Sequence, residues 1–526
     1  MWRRVAEFTQ REPEALAVVD AVGKRRFRYG ELFSAASAVA AHLRDHGVGP
    51  GDVVSIQLPN QYEAVVAALA VQGLGAVINP LLPGYRLSEL SHVFRVAMPR
   101  AIFTPTRYRG FDHGPLIAQA AEATGCAPHH VVVSPTGPSE PGTDEPTPAT
   151  SAVDFEDAMR ARPAAADSLG AAAAEAVSEL IFTSGTESAP KAVLHTEQTT
   201  NFSVRTAWRD MQLGSQDVVW MPSPIGHSTG FNYGLRLALY YGLPLVLQDR
   251  WDAEVALALI EAHHCSYTLA ATTFLQDLVE AARRDRRDLS RLRCFGCGGA
   301  PVPPDLVRAG LAVGIGVRRL YGSTEVLVAT WNRADASEAT LAETDGAPLS
   351  DVEVEVRDDS GALCAQGERG EIFVRGPNTC VGFFEDPERE HRTISRDGWV
   401  RSGDLGVLDA RGQLSIVGRS KDIIIRGGLN IAPREVEDLL LAFPEVERAA
   451  VVGIADPRLG ERCCACLVMR GDATLDLEGV VARLRAAGLA THKLPERVEI
   501  FDSLPTTASG KIQKFRILEQ LAEIAT

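Results

Sequence analysis

Three textures along the chain predict an α/β protein with helix-covered parallel sheets, a small β subdomain at their end and a compact α+β unit at the C-terminal end. The first is a repeated alternation of helical and strand-like runs before Leu349. The second is a change to short strands with turn residues after Leu349. The third begins near Lys421, where helices and strands fill about a hundred residues, the size of a small separate domain.

From Glu31 to His46 apolar residues recur at Leu32, Ala36, Val39, Ala40 and Leu43, the stripe of a helix. The Gly- and Pro-bearing stretch 47–52 ends it before a strand at 53–59. The same step repeats at 62–75 before 76–80, 253–265 before 266–270, 272–284 before 292–299, and 303–314 before 317–323. Such alternation reads as parallel sheets covered by helices. Short strands follow at 352–363, 370–377 and 412–419. Beyond them come a helix at 433–443, strands at 446–456 and 462–470, and a helix at 477–488. Residues 134–151, rich in Pro, Ser, Thr and Gly, read as a mobile surface loop. There are no internal repeats.

With 526 residues, 45% hydrophobic and 23% charged, the chain is long enough for two or more full cores. A formal net charge of −15 opposes a general nucleic-acid or membrane-surface binder, which would cluster Lys and Arg. The one dense basic run, 283–287, is broken by Asp285 and reads as a solvated helix end. No apolar run approaches the ~20 residues that span a bilayer, and residues 1–18 turn acidic before any long apolar segment. Nine cysteines without framework spacing fit reduced thiols, so a cytoplasmic location is expected. Cys294 with Cys297, and Cys463 with Cys464 and Cys466, lie in strand-like apolar runs without a second ligand pair, and read as small buried hydrophobes.

The chemistry begins at residues 182–196, FTSGTESAPKAVLHT, a strand entering a hydroxyl-rich turn. Backbone amides of Gly185 and its neighbours, the hydroxyls of Thr183, Ser184 and Thr186, and Lys191 suit phosphate oxygens. It is not a Walker loop, which needs lysine directly after the last glycine. Taken alone, an ordinary polar turn explains it too. Glu187 is the oddity, a negative charge in a loop built for anions.

Four further stretches follow in order: YGSTE at 321–325, GWVRSGDLG at 398–406, GRSKDIIIRGGLNIAPREVE at 418–437 and LPTTASGKIQKF at 504–515. With the phosphate loop they resemble, over essentially the whole chain, the adenylate-forming superfamily of acyl-CoA synthetases and adenylation domains. Residues 221–235 and 296–306 are most similar to cyclohexanecarboxylate-type acyl-CoA ligases. The resemblance implies a large domain at 1–418 whose β subdomain is a small β-barrel, and a mobile small domain at 419–526 that swings about a hinge near Lys421.

It further implies an acyl-CoA ligase, an acid–thiol ligase that joins a carboxylic acid to CoA through an acyl-adenylate, with ATP, Mg²⁺ and coenzyme A. Asp404 would accept from the ribose hydroxyls, as an acceptor-only carboxylate can, with Arg419 as a nearby donor. Tyr321, in the run Gly322, Ser323 and Thr324, would stack on adenine, and the backbone of Gly298, Gly299, Ala300 and Pro301 would let the base approach. Glu325, with Thr186, would hold Mg²⁺. Lys511 would bridge the acid's carboxylate and the α-phosphate. Lys421 would serve the hinge, and Gly427 with Gly428 would line a pantetheine tunnel. His227, Thr229, Gly230, Phe231, Thr273 and Gly298 would face the acyl group. No cation stands ready there for a second charge, so a mostly apolar acid follows: alicyclic, aryl, terpenoid or fatty.

Where the family loop commonly carries Thr-Gly, this chain has Glu187 and Ser188, and where it carries Gly, Ala192. A carboxylate there repels ATP more than an acyl-adenylate, which carries fewer charges. One alternative is therefore a ligase whose adenylation half is weak and which takes adenylate from a partner adenylating enzyme. A carrier protein in place of CoA, and a non-catalytic adenylate-binding protein, are further alternatives.

Overall fold

The computed structural model describes residues 1–21, 24–134, 152–162, 169–170, 173–183, 190–426, 429–471, 473–507 and 511–524. The loop expected at 134–151 therefore lies, apart from Ser134, outside the described residues. So do Ser184, Gly185, Thr186, Glu187, Ser188, Gly427 and Gly428.

The four later helix–strand alternations in the sequence each join parallel strands of one sheet through a helix, whereas the first helix, Tyr29–Asp45, passes from one sheet to the other. Val219–Met221, Tyr267–Ala270, Cys294–Cys297 and Val317–Ser323 lie side by side and parallel in a nine-stranded sheet. Val53–Ile56, Val77–Pro80, Ala101–Pro105 and Val177–Phe182 are parallel in an eight-stranded one. Strands buried on both faces need no polar alternation, which is why these runs read as continuously apolar. Antiparallel strands close one edge of each sheet: Leu327–Trp331 and Ala347–Pro348 in the first, Ala192–Thr196 and Gly382–Phe383 in the second.

Helix Tyr62–Gly73 is buried along its whole length and touches strands of both sheets. An apolar residue on every side is what such a position requires. Its Glu63 is neutralised by Arg25 at 2.8 Å. The N-terminal helix Trp2–Arg11, which composition alone does not single out, sets Trp2 and Val5 into the same core.

Where a small β-barrel is expected, the structure has a four-stranded antiparallel sheet, Glu353–Arg357, Arg369–Arg375, Val400–Leu408 and Leu414–Arg419, in open order. Closure is pre-empted because the outer edge of Leu414–Arg419 already bonds residues 345 and 346, with Leu414 N donating to the Gly346 carbonyl at 2.8 Å. Beyond it, the long hairpin Val446–Asp456 and Gly460–Met469 packs helices Pro433–Leu441 and Leu477–Ala486 on one face. Cys463, Cys464 and Cys466 are buried in that hairpin, and Cys294 and Cys297 in the nine-stranded sheet. Among the described residues no helix is long and apolar enough to cross a membrane.

Candidate active site

Four parallel strands of the nine-stranded sheet end at one place, and the turns that follow them enclose a cavity of about 80 Å³. Carboxyl ends of parallel strands are where such sheets leave a crevice. Ser223, Ala270, Gly298 and Gly322 come from the four strand ends, and Lys511 reaches in from the C-terminal region. Gly298 cannot carry a side chain, since a Cβ would stand 2.5 Å from the Leu320 carbonyl oxygen. Gly299 turns at φ +77°, a conformation that favours glycine, and Ala300 and Pro301 follow it in the same turn. Thr272 fixes that turn by donating to the Pro301 carbonyl at 3.0 Å.

At one end of the crevice the Tyr321 hydroxyl donates to Asp404 Oδ2 at 2.8 Å, and Arg419 Nε meets Asp404 Oδ1 at 3.0 Å. Asp404 and Arg419 face each other across adjacent strands, which sets that geometry from the backbone. Asp404 raises the Arg419 pKa, and burial followed by Asp404 pushes the Tyr321 phenol well above its usual value.

At the other end stand Lys511 and His227. The lysine's backbone is stapled by Thr507, whose N donates to the Lys511 carbonyl at 2.7 Å and whose Oγ1 accepts from Lys511 N at 3.1 Å. Its side chain reaches the Gly299 turn: a Cβ on Gly299 would lie 3.9 Å from Nζ. Loss of water, then Arg419, lowers the ammonium's pKa, while Asp404 and Glu325 oppose the shift. His227 is held down to about 3 by burial, with Lys511 adding to it. Its Nδ1 accepts from Thr229 N at 3.2 Å, so the neutral ring carries its proton on Nε2.

Thr229 lines the cavity with His227 and Gly298, but Phe231 and Thr273 do not: Phe231 turns into the core, and Ala271 and Phe274 supply the wall where Thr273 was expected. Gly230 serves packing instead, because a Cβ there would meet the Pro224 carbonyl oxygen at 2.3 Å.

The model for AMP-binding enzymes matches residues 5–384, and that for the AMP-binding enzyme C-terminal domain matches residues 435–511. The chain belongs to the AMP-binding enzyme family. It is 36% identical over 510 residues to a medium-chain fatty-acid–CoA ligase of Escherichia coli, covering 97% of this chain and 88% of that one. It is 34% identical to a 2-hydroxy-7-methoxy-5-methyl-1-naphthoate–CoA ligase of Streptomyces carzinostaticus, covering 97% and 91%. Among solved structures, ATP-bound MatB from Rhodopseudomonas palustris superposes with a TM-score of 0.88 at 27% identity, covering all of both chains. The o-succinylbenzoate CoA synthetase of Bacillus subtilis, in complex with its acyl-adenylate intermediate, gives 0.82 at 27% identity, covering 98% and 97%.

The chain leaves a buried polar group unspent just after strand Val177–Phe182. Thr183 Oγ1 is buried without a hydrogen-bond partner among the described residues, and Thr183 N donates to the Lys191 carbonyl at 2.9 Å. A buried hydroxyl left unpaired is costly unless a ligand completes it. Lys191 forms an ion pair with Glu325. Burial alone would raise the Glu325 carboxyl, but Lys191 and Ser323 outweigh it and hold it below its ordinary value. Glu325 thus stays ionised, an oxygen donor fit for Mg²⁺.

Two supports for this AMP-binding enzyme site escape sequence reasoning. His195 Nε2 donates to the Thr324 carbonyl at 2.7 Å while Nδ1 accepts from Thr199 Oγ1 at 3.1 Å, fixing residue 324 beside Glu325. A histidine in an apolar strand signals that its nitrogens need partners, but not which. The second is a wholly buried ion pair, Glu179 with Arg236. Asn232 completes it, giving Nδ2 to Glu179 and accepting Arg236 Nε, each at 3.0 Å. It locks the π-helical turn Phe231–Arg236 to the strand that leads into Thr183.

Proposed function

We propose that the chain is an AMP-forming carboxylate–CoA ligase for a mostly apolar acid. The observation that carries this reading is the meeting of Lys511, His227 and the Gly298–Gly299 turn around one cavity, with Asp404 and Tyr321 beside it. A carboxylate oxygen attacks the α-phosphorus of ATP, the new P–O bond forms and pyrophosphate leaves. Lys511 offsets the repulsion between the two approaching anions, and does so strongly because its ammonium is short of water. Asp404 takes the ribose hydroxyls, Tyr321 presents its ring to adenine, and Thr183, Ser184, Gly185, Thr186 and Lys191 hold phosphate oxygens. Glu325 and Thr186 hold Mg²⁺, which supplies charge neutralisation when bound.

In the second half-reaction the CoA thiolate attacks the acyl carbonyl and AMP departs. Residues 419–526 swing about Lys421 to withdraw Lys511 and open a path along Gly427 and Gly428. Among the described residues the cavity wall carries no cation apart from Lys511, and Leu269, Phe274 and Leu327 add apolar surface, which supports an acid with one carboxylate. Incubation with ATP, Mg²⁺, CoA and a panel of aryl, alicyclic and fatty acids tests the reading. It predicts AMP and an acyl-CoA in equal amounts from at least one acid, and fails if neither appears.

Of the three departures in the phosphate loop, one lies in a strand. Ala192 is the first residue of strand Ala192–Thr196, buried and opposite Phe182. Any bias against ATP therefore rests on Glu187 and Ser188.

A further inference from the structure

Remote in sequence from the residues that line the cavity, three imidazoles meet. His42 and His46 stand one turn apart at the C-terminal end of helix Tyr29–Asp45, and His129 opens strand His129–Val133 of the eight-stranded sheet. One nitrogen of each ring lies within 4.8 Å of those of the other two, and His42 Nε2 is 3.0 Å from His129 Nε2. The His46 and His129 rings stack at 4.0 Å.

We infer that His42, His46 and His129 form a binding site for a divalent transition-metal ion of the zinc class, clamping the end of a helix to the start of a strand. Two nitrogens on a tetrahedral zinc ion stand about 3.3 Å apart, so nitrogens already within 4.8 Å of one another are in reach of one ion once the stacked His46 and His129 rings turn towards it. The tautomer is already set on one ligand. His46 Nδ1 donates to the His42 carbonyl at 2.8 Å, which leaves Nε2 as a bare lone pair, and such a bond to the second nitrogen is what orients a metal-bound histidine. Between His42 Nε2 and His129 Nε2 there is room for one proton at most, so at least one of them is also a lone pair.

The electrostatics favour the same ion class. Burial first, then the neighbouring imidazoles, hold His129 down to about 4 and lower His42. Asp45 is the carboxylate that acts on His42, and Arg100, which donates to the Gly47 carbonyl at 3.3 Å, brings a cation to the same edge. A ligand set of imidazoles without a carboxylate oxygen suits Zn²⁺, Ni²⁺ or Cu²⁺ rather than Mg²⁺ or Ca²⁺. A helix C-terminus adds negative potential towards a bound cation.

The test uses the full-length chain, stripped with EDTA and kept reduced, titrated calorimetrically with Zn²⁺ and spectroscopically with Co²⁺. The expected result is one equivalent bound at this site, a raised unfolding temperature, and a Co²⁺ spectrum free of thiolate charge transfer. His46→Gln and His129→Gln should each weaken binding by more than about tenfold, since losing even an outer partner of a metal-bound imidazole costs about that much. Because His46 is exposed, its replacement leaves the fold intact and decides the matter if His129→Gln does not fold. Absence of Zn²⁺ binding, binding unchanged in His46→Gln, or a thiolate-dominated Co²⁺ spectrum overturns the proposal.

Discussion

At one end of the crevice Tyr321, Asp404 and Arg419 form a connected chain of polar contacts; at the other, Lys511 and His227 share an apolar-walled cavity where burial pulls both towards their neutral forms. The first end holds its geometry in the structure as it stands, so the nucleoside proposed to bind there would meet groups already in place. The second holds its tension, so an anion arriving beside Lys511 changes the local energetics most. On the proposed function, recognition of the nucleotide is generic, while charge development and choice of acid belong to the Lys511 end.

The sharpest way to break this contrast is Lys511→Ala. Pyrophosphate release from ATP with the acid should fall by about 10²-fold or more, the scale of losing one preorganised stabilising group. Thioester formation from supplied acyl-adenylate should barely change. Equal losses in both assays would mean that Lys511 does not act in the first half-reaction. Next comes Asp404→Ala, which removes an ionised acceptor and should raise the KM for ATP with a loss of about 1.5–3 kcal/mol. The KM for the acid should stay within about twofold if the two ends are independent; a parallel rise would dissolve the distinction between them.

A smaller effect is expected from Glu187→Thr with Ser188→Gly, which restores the common loop. ATP-dependent adenylation should increase about tenfold, a change of roughly 1.4 kcal/mol, with little effect on thiolysis of supplied adenylate. Adding Ala192→Gly should gain nothing further and should cost about 0.5–1 kcal/mol of stability, because residue 192 pairs in a strand. If the third change is what raises activity, the phosphate loop extends into strand Ala192–Thr196.

A further effect concerns stability against pH rather than activity. Burial, then Lys511, hold His227 at about 3 in the folded chain against about 6.5 when unfolded. Between those values the unfolded state binds more protons, so the contribution of the neutral ring is complete above about pH 6.5 and is lost as pH falls towards 3. Thermal unfolding of His227→Asn across this window should show a shallower decline on acidification than the parent. An unchanged slope would show that His227 is hydrated.

Much of this was legible because the chemistry needs particular residues in short runs: Thr183, Glu325, Asp404 and Lys511 each sit in a stretch that announces itself. Parallel strands were legible from their alternation with helices. What escaped depends on partners far apart in sequence. Glu179 and Arg236 are separated by 57 positions, and neither leaves a periodicity from which the other can be found. The open four-stranded sheet escaped for a similar reason: residues 345 and 346, outside its strands, occupy the edge that a barrel would have closed.

Helix Tyr62–Gly73 carries a mechanical consequence. Because it is walled in on all sides and shared by two sheets, sliding one sheet over the other would open voids around a dozen well-packed residues at once. The two sheets are therefore welded into a single anvil, and whatever stroke the catalytic cycle requires must be delivered by the chain beyond them.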